Sequence, residues 1–583
     1  MTEWRGHVVV CGLQDVGMRI VEQLRIAGER VVVVDDDAEP RLVRLADRLG
    51  AVHLAASGRR ATELEAAGLA GAAALICIDD SDLVNLEIAL LAQRLRADLR
   101  IVVQLGNEAV GRAVGRVTGP ASVLDVASIA APTLAEACID LRSRPLSIGG
   151  EPFVLREIQA RRAGTLRTLF DDLAPVAVVP ADGSELVVCP GRDLAVQVGD
   201  RVFVISTSDD LAARGLLETD EPPVRVRRRH RPSLLRRYIS SFVASSERQL
   251  RMTLTALLVV AVWSIVLLRI GYRTVQGGHM STLDAAYFTT ETLTTVGFGD
   301  FYFGNQSTWL RIWAIALMIL GATLVTVVYA MLTNLLVSRR IAQSLGRQLA
   351  TRMTNHVIVV GLGSVGLRVL EHLIAAHQPV VVLERDEDNR FLARARALGV
   401  PIVFGDSTVP ASLDAVNLQR ARAVAVLTSS DLANIETGLG VDDMLGERRT
   451  EVPVVLRVFD RDLAETIETS FDFHFVRSTA ALAAPWFVGA ALGLDIRTTF
   501  YIDDLPMLMG VLTVAPEGGL NGKTMSELSA RIRVIAISRA GGARLEYPPR
   551  RDTRFAGGDQ AYLVGPYEEL LQVLRRDARG AVA

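Results

Sequence analysis

The chain has 583 residues, of which 50% are hydrophobic and 22% are charged, and its formal net charge at pH 7 is −3. At about 150 residues per domain, this length predicts roughly four domains. The composition excludes a disordered chain, and the charge gives no basic field that would favour nucleic acid as the main partner. The four cysteines show no CxxC spacing, which excludes a zinc ribbon and predicts buried, reduced, cytosolic thiols.

Two long uncharged segments predict membrane spans. Met252–Leu268 contains 17 residues, and Ile312–Ser338 contains 27. As helices they are about 26 Å and 40 Å long, against a bilayer core of about 30 Å. Each alone could be a buried core helix, but two in one short block favour a membrane domain.

Arginines on the outer flanks of both spans predict the topology. They follow the second span at 339, 340, 347 and 352, and they precede the first span as Arg225, Arg227, Arg228, Arg229, Arg231, Arg236 and Arg237. The loop between the spans has few cations, so the positive-inside rule predicts two cytoplasmic termini. A nucleic-acid patch is the alternative for the first cluster, and its place beside a span favours the topology interpretation.

The segments on either side of the spans are related by an internal repeat. Each copy has an apolar strand, a turn bounded by glycines, and a second strand that ends in an acid. In the first copy these are Val8–Cys11, Gly12 to Gly17, and Asp35. In the second copy, 349 residues later, they are Val357–Val360, Gly361 to Gly366, and Glu384. The alternation of strands and helices in each copy predicts a Rossmann-like, doubly wound parallel sheet.

The turn of the second copy predicts a nucleotide site. In such a sheet the first turn binds phosphates, because glycines permit close approach and the helix N-terminus supplies N–H donors. Gly361, Gly363 and Gly366 complete this motif, and Glu384 is placed to bind ribose hydroxyls. Asp406 is included among the nucleotide-binding candidates. The expected ligand is NAD, NADH or an adenine nucleotide.

The first copy departs from the motif. Gln14 stands where the middle glycine is expected, and its side chain would crowd a pyrophosphate. Gly12, Gly17 and Asp35 therefore form either a weaker nucleotide site or a retained fold with an inactive pocket. The hypothesis is that the second copy is the working sensor and that the first mainly completes the assembly.

A smaller α+β unit follows each sheet, with a glycine turn before a strand at residues 191–205 and again at 551–564. The combination of sheet and small unit resembles the RCK domain, which regulates potassium conductance and comprises the TrkA-N and TrkA-C domains. The resemblance covers about residues 6–210 and again 355–575. It implies ligand gating by nucleotide or ion.

The loop between the spans resembles the potassium-channel selectivity filter. Its sequence from 294 to 300 is Thr-Thr-Val-Gly-Phe-Gly-Asp, where the family usually has tyrosine in place of Phe298. Glycines at 297 and 299 permit backbone conformations that let successive carbonyls face a dehydrated ion. The resemblance implies a pore helix over 282–293 and K⁺ on the backbone of Thr295, Val296, Gly297 and Phe298. Four chains would then surround one pore as a homotetramer.

Four further details leave alternatives open. Phe298 lacks the hydroxyl that would tie the filter to the pore helix. Glu291 and Asp300 match an acidic pair that flanks the filter in some family members, and they either share a proton or leave Asp300 facing the outer mouth. Gly321 matches the hinge glycine of the inner helix, with close helix packing as the equal alternative. The acidic run from Glu384 to Asp388 is either a Ca²⁺ or Na⁺ site or, as favoured here, a solvated turn.

The predicted domains follow from these patterns. They are a Rossmann-like lobe at 1–140, a small lobe at 145–212, a basic linker at 213–248, a pore domain at 249–340 with spans 249–270 and 309–338, a linker at 341–354, a second Rossmann-like lobe at 355–490 and a second small lobe at 498–575.

The predicted function is a potassium-selective channel of the cell membrane, gated on its cytoplasmic domains by a small-molecule nucleotide, an ion or both. No enzymatic activity is expected, since no nucleophile–base set is present. The alternatives are a membrane-anchored NAD-binding oxidoreductase, suggested by the sheets alone, and a regulatory subunit for potassium uptake. The filter sequence decides for the channel.

Overall fold

The computed structural model describes residues 4–118, 122–139, 143–171, 173–214, 216, 234–274, 278–459, 461–471, 473, 475–503, 505–542, 545–550 and 552–580. The chain divides into two units, one formed by residues 1–221 and 350–583 and the other by residues 222–349. The arginines at 225–231 that support the predicted topology lie outside the described residues, as do the side chains of Arg236 and Arg237.

The first copy is a six-stranded parallel sheet with helices on both faces. Its elements are β1 (Val8–Cys11), α1 (Asp15–Ile26), β2 (Val31–Val34), α2 (Pro40–Arg48), β3 (Val52–Leu54), α3 (Ala61–Ala66), β4 (Ala74–Cys77), α4 (Asp82–Leu95), β5 (Arg100–Gln104), α5 (Glu108–Thr118), β6 (Val123–Leu124) and α6 (Val126–Ala137). The strand order is β3-β2-β1-β4-β5-β6. Strands β1, β2 and β4 are buried throughout, which explains why they are unbroken apolar runs.

An antiparallel module follows. Its elements are β7 (Ser143–Ile148), β8 (Glu151–Gln159), β9 (Gly164–Thr165), α7 (Leu166–Phe170), β10 (Ala174–Val179), β11 (Val187–Val188), β12 (Ala195–Val196), β13 (Arg201–Thr207) and α8 (Ser208–Ala213). Its main sheet has the order β11-β10-β13-β8-β7. The sequence predicts a turn followed by a strand over residues 191–205. In the structure the strand is β13, and the preceding residues 191–200 form the turn together with the short strand β12.

The second unit contains three helices, α9 (Leu234–Gly271), α10 (Thr282–Leu293) and α11 (Thr308–Ala350). Two stretches of helix are long and apolar enough to cross a membrane, Met252–Gly271 and Thr308–Met331. Only 11% and 17% of the most apolar part of each stretch is buried. A core helix of a soluble protein would bury most of this surface, so the two predicted spans are supported. The second span begins before the uncharged run, because Arg311 lies inside the helix.

The second copy repeats the first. Its parallel sheet contains β14 (His356–Val360), α12 (Ser364–Ala375), β15 (Val380–Glu384), α13 (Leu392–Ala397), β16 (Ile402–Phe404), α14 (Pro410–Ala415), β17 (Ala421–Val426), α15 (Asp431–Leu445), β18 (Val454–Val458), α16 (Arg461–Phe471), β19 (Phe475–Ser478) and α17 (Thr479–Leu492). The strand order, β16-β15-β14-β17-β18-β19, is that of the first sheet. The predicted Rossmann-like fold of both copies is therefore confirmed.

A second antiparallel module completes the chain, with β20 (Asp495–Ile502), β21 (Leu505–Thr513), β22 (Arg533–Ser538), β23 (Leu545–Glu546), β24 (Gln560–Pro566) and α18 (Tyr567–Gly580). Its order is β20-β21-β24-β22-β23. The two antiparallel modules share one hydrophobic core, in which Phe153 and Phe203 pack with Phe500, Met507 and Tyr562.

The two copies exchange a helix. The core around Val8 and Val10 of the first sheet includes Phe487 of α17, which follows the second sheet in the chain. The core around Val357 of the second sheet includes Leu134 of α6, which follows the first sheet. Each parallel sheet is therefore covered on one face by a helix of the other copy, so neither copy has a complete core alone.

The four cysteines are buried and unpaired, as the sequence predicts. Burial raises the pKa of the Cys11 and Cys138 thiols to about 12, which keeps both protonated at neutral pH.

Candidate functional site

The pore helix α10 is fixed at both ends. Ser281 caps its N-terminus by accepting a hydrogen bond of 3.1 Å from the backbone N–H of Asp284. Its inner side packs through Phe288 and Leu293 into a core with Leu268 and Leu317 of the two spans. The helix therefore holds the loop that follows it at a defined place between the spans.

The filter loop has an irregular backbone with exposed residues from 294 to 300. Three of its residues have positive φ: Thr295 at 60°, Gly297 at 61° and Gly299 at 83°. The left-handed region costs glycine little, so the two glycines relieve most of the strain. Among the described residues, none donates a hydrogen bond to the carbonyls of Thr295, Val296, Gly297 or Phe298. These carbonyls are therefore available for a cation.

The acidic pair at the filter is not joined by a hydrogen bond. Asp300 accepts a hydrogen bond of 3.2 Å from the hydroxyl of Tyr287. Glu291 is buried, and its Oε2 has no partner in the part of the chain that the structure describes. The main-chain carbonyl of Glu291 accepts from the N–H of Val296 at 2.9 Å, which anchors the start of the filter to the helix.

Gly321 lies inside α11, which is continuous from Thr308 to Ala350. A Cβ at this position would lie 2.7 Å from Cδ2 of Leu293 and 3.2 Å from its Cα. The glycine thus permits close contact between the inner helix and the end of the pore helix. Close packing, one of the two predicted alternatives, is present in this conformation.

The three glycines in the turn of the second copy have two different roles. A side chain at Gly361 would meet the backbone of Thr428 at 3.0 Å, and one at Gly366 would collide with the carbonyl oxygen of Gly361. These two glycines are required for packing. Gly363 differs: its φ is −81°, and a Cβ there would have no atom within 4 Å. It leaves open space directly before α12, where helix N–H groups attract phosphate.

Glu384 lies at this turn, as predicted. Its carboxylate is buried and accepts hydrogen bonds from the N–H of Leu362 at 2.6 Å and of Asp386 at 2.9 Å. A carboxylate has about four acceptor positions, so capacity for ribose hydroxyls remains. Asp406 follows β16 at the same edge of the sheet. Its carboxylate accepts from the N–H and hydroxyl of Thr408, which lowers its pKa, and no described hydrogen bond joins it to the turn.

The first copy builds the same turn around Gln14. A side chain at Gly12 would meet Ile78 at 2.8 Å, and one at Gly17 would collide with the carbonyl of Gly12. Asp35 accepts from the N–H of Leu13 at 2.6 Å, as Glu384 does from Leu362. Among the described residues, no group of three His, Cys, Asp or Glu side chains could hold a metal ion in either copy.

Two family models match the chain. The TrkA-N domain matches residues 8–118 and 357–475, and the model described as an ion channel matches residues 254–338. The chain is 25% identical over 177 residues to the voltage-gated potassium channel Kch of Escherichia coli, covering 30% of this chain and 42% of Kch. It is 24% identical over 289 residues to the calcium-gated potassium channel TvoK of Thermoplasma volcanium, covering 47% of this chain and 79% of TvoK.

The chain thus has two TrkA-N domains, one before and one after an ion-channel region, and it is similar to potassium channels. The solved structure of the GsuK channel aligns with a TM-score of 0.50 at 15% identity, over 98% of this chain and 79% of that one, which shows the common fold. An uncharacterized protein of Methanothermus fervidus is 26% identical over 163 residues. The chain spans 25% of that protein and 42% of Kch, less than half of either.

Two residues at these sites have no signal that the sequence analysis used. Tyr287 bonds Asp300 and lies parallel to the Phe298 ring at 6.4 Å, so it supports the filter from the pore helix. Tyr287 lies four residues before Glu291, which places both on the same face of the helix, and this spacing indicates from the sequence that Tyr287 is near the filter.

Arg457 is the second residue missed. It is buried, lies 4.3 Å from the Phe459 ring and donates to the carbonyl of Thr428 at 3.3 Å, while its Nε has no partner among the described residues. Burial lowers its pKa to about 10, against the opposing effect of Asp431 and of Asp15 from the first TrkA-N domain. A single arginine inside an apolar strand carries no motif that would reveal it.

Proposed function

We propose that this protein is a potassium-selective channel of the cell membrane, formed by four copies of the chain and gated by a nucleotide on its cytoplasmic TrkA-N domains. The observation that carries this proposal is the filter loop, whose four carbonyls from Thr295 to Phe298 accept no hydrogen bond among the described residues. Carbonyl rings replace the hydration shell of K⁺, and the protein must leave those oxygens unpaired to do so. We propose the same domain boundaries as the sequence analysis, with the pore domain at 249–340 between the two pairs of lobes.

Tetramer formation follows from the filter. One chain supplies one filter strand, and a ring of carbonyls requires several strands around an axis. The exposure of residues 294–300 in a single chain supports this, because irregular backbone at membrane depth must be covered by protein or line a water-filled path. Four chains bring eight TrkA-N domains to the cytoplasmic side.

The connection to the pore runs through the end of the inner helix. Helix α11 ends at Ala350, whose side chain is buried in the core of the second TrkA-N domain. The side-chain amide of Asn417 donates to the carbonyls of Thr351 and Met353, at 3.1 Å and 2.8 Å. The end of α11 is thus fixed to the second domain, so a displacement of that domain moves the helix end.

The nucleotide is proposed to act at the turn from Gly361 to Gly366. The open space beside Gly363 and the carboxylate of Glu384 at the same turn support this assignment. A ligand shifts the gate only by its difference in affinity between the open and closed states. The relative TvoK is a calcium-gated channel, but no group of three His, Cys, Asp or Glu side chains among the described residues could hold a metal ion, so a nucleotide is proposed in preference to Ca²⁺.

The test is cation flux from liposomes that contain the purified full chain. We expect K⁺ flux in preference to Na⁺, with a rate that changes on addition of NADH, NAD or ATP. Gly299→Ala should abolish the flux, because a β-carbon disfavours the left-handed conformation at 83°. Gly278→Ala is the matched control, since Gly278 lies between the same spans without positive φ. Equal Na⁺ and K⁺ flux would contradict the selectivity, and unchanged flux with every nucleotide would contradict the gating.

A further inference from the structure

A cavity of about 460 Å³ lies at the amino-terminal edge of the second parallel sheet. Its lining includes Asn355 before β14, Arg420 and Arg422 at the start of β17, and Arg448 with Glu451 before β18. The glycine turn lies at the opposite, carboxyl-terminal edge of the same strands. The volume falls within the range of about 300–1,000 Å³ that is usual for small-molecule sites.

The cavity carries excess positive charge, with three guanidinium groups and one carboxylate. Arg448 lies 3.4 Å from Glu451 and also donates to the carbonyl of Ala421. Arg422 donates to the side-chain carbonyl of Gln378 at 2.8 Å. In the part of the chain that the structure describes, neither Arg420 nor Arg422 has an ion-pair partner. Each guanidinium has five N–H donors, so most donors of these two arginines are free for an anion.

The first copy shows that the fold does not need these arginines. Asn355 N–H donates to the carbonyl of Arg420 at 2.8 Å, and at the equivalent place Gly6 N–H donates to the carbonyl of Gly71 at 2.8 Å. Two residues on, the first copy has Ala73 where the second has Arg422. The same strand thus forms with glycine and alanine at these positions, so packing does not account for the two unpaired cations.

We propose that this cavity binds a soluble, phosphate-bearing anion, at a site separate from the nucleotide turn. Arginine matches phosphate by paired N–H donors, and three guanidiniums around one cavity suit a ligand with several negative oxygens. Asn355 belongs to the short segment between the inner helix α11 and β14, so the bound anion contacts the connection that leads to the inner helix. The site therefore gives the channel a second regulatory input.

The test is calorimetric titration of inorganic pyrophosphate into the full chain in neutral phosphatidylcholine vesicles. The parent protein carries Gly363→Gln, which fills the nucleotide turn. We expect pyrophosphate to bind this parent, and the additional pair Arg420→Gln and Arg422→Gln to weaken binding by about tenfold or more. Arg422→Lys keeps the charge but loses the paired donors, so it should weaken binding less than the paired variant does. Arg449→Gln is the matched control, because Arg449 pairs with Asp442 and does not line the cavity.

The outcomes separate this site from the proposed gating by nucleotide. Loss of pyrophosphate binding on Gly363→Gln alone, or unchanged affinity after both arginine substitutions, would overturn the anion site. Failure of NADH to affect flux would overturn the nucleotide gate but would leave pyrophosphate binding as a separate measurement. An unaltered melting temperature of the paired variant shows that it is folded.

Discussion

The two TrkA-N domains have the same strand order but differ at the centre of the glycine turn. Gly363 has φ −81° and ψ −168°, and Gln14 has φ −93° and ψ −171° at the equivalent place. Any residue adopts this extended backbone, so the middle glycine is not needed for the turn itself. What it provides is room, and the first domain has filled that room with a side chain.

The charges around the two turns also differ, and the first turn is the more negative. The first domain has Asp79 and Asp80 after β4, where the second has Thr428 and Ser429 after β17. Partial burial and the neighbouring Asp79 raise the pKa of Asp80, and a hydrogen bond with Gln14 opposes this effect. Negative charge at the mouth repels phosphate, so both the side chain and the charge support the proposal that the second domain, rather than the first, binds the nucleotide.

Gly363→Gln should have the largest effect, because it gives the second turn the side chain of the first. The open backbone and free space at Gly363 predict normal folding. Nucleotide affinity should fall by more than about a hundredfold, since a side chain replaces the phosphate. Isothermal titration with NADH measures it. Retained affinity would show that the nucleotide does not bind at this turn.

Glu384→Gln should weaken nucleotide binding by about ten- to a hundredfold, the cost of losing hydrogen bonds to a charged group. The amide keeps an acceptor for the N–H of Leu362, so the turn should remain folded. Asp35→Asn is the matched control, because Asp35 makes the same contact in the first domain and should change the affinity little. A larger loss from Asp35→Asn would reverse the assignment of the sensor.

Gln14→Gly gives the first turn the glycine of the second turn, and it should have a small effect on nucleotide binding. It restores room in the first turn but leaves Asp79 and Asp80 in place. We expect a change in the number of bound nucleotides only when Asp79→Thr and Asp80→Ser accompany it. A second full binding site from Gln14→Gly alone would show that the side chain, and not the charge, is what closes the first turn.

The smallest expected effect is on the pH dependence of folding stability, and it comes from a buried histidine that each of the two domains contains. His7 and His356 are fully buried, and their Nε2 atoms bond the carbonyls of Ala67 and Val416 at 3.0 Å and 2.9 Å. In both, Nδ1 has no described partner, so a second proton there would be unsatisfied.

Burial lowers both histidine pKa values below 6.5. Because the unfolded chain then binds more protons, their contribution is complete above pH 6.5 and is lost as the pH falls toward the folded pKa. The loss is about 1.4 kcal/mol per histidine for each pH unit in this window. Melting temperatures between pH 8 and 5 measure it, and His356→Gln should flatten the curve. An unchanged slope in both His7→Gln and His356→Gln would contradict the assignment.

The sequence predicts the sheets, the spans and the filter because each has a local signal. Apolar runs mark β1 and β14, uncharged stretches mark the spans, and glycine spacing marks the turn and the filter. The exchange of α6 and α17 has no such signal, since both are short apolar helices that fit either sheet by composition. The sequence also predicts that the middle glycine leaves room for a phosphate. Coordinates were needed to show that Gly361 and Gly366 are instead required for packing, because a Cβ at either would meet neighbouring backbone.

The helix exchange has a consequence for biosynthesis. The face of the first sheet that contains Val8 and Val10 is completed by α17, which the ribosome makes after both spans. At about 5–20 residues per second, this face stays uncovered for tens of seconds. Membrane insertion thus precedes completion of the first domain. A chain cut before Thr479 would therefore leave this apolar face without its covering helix.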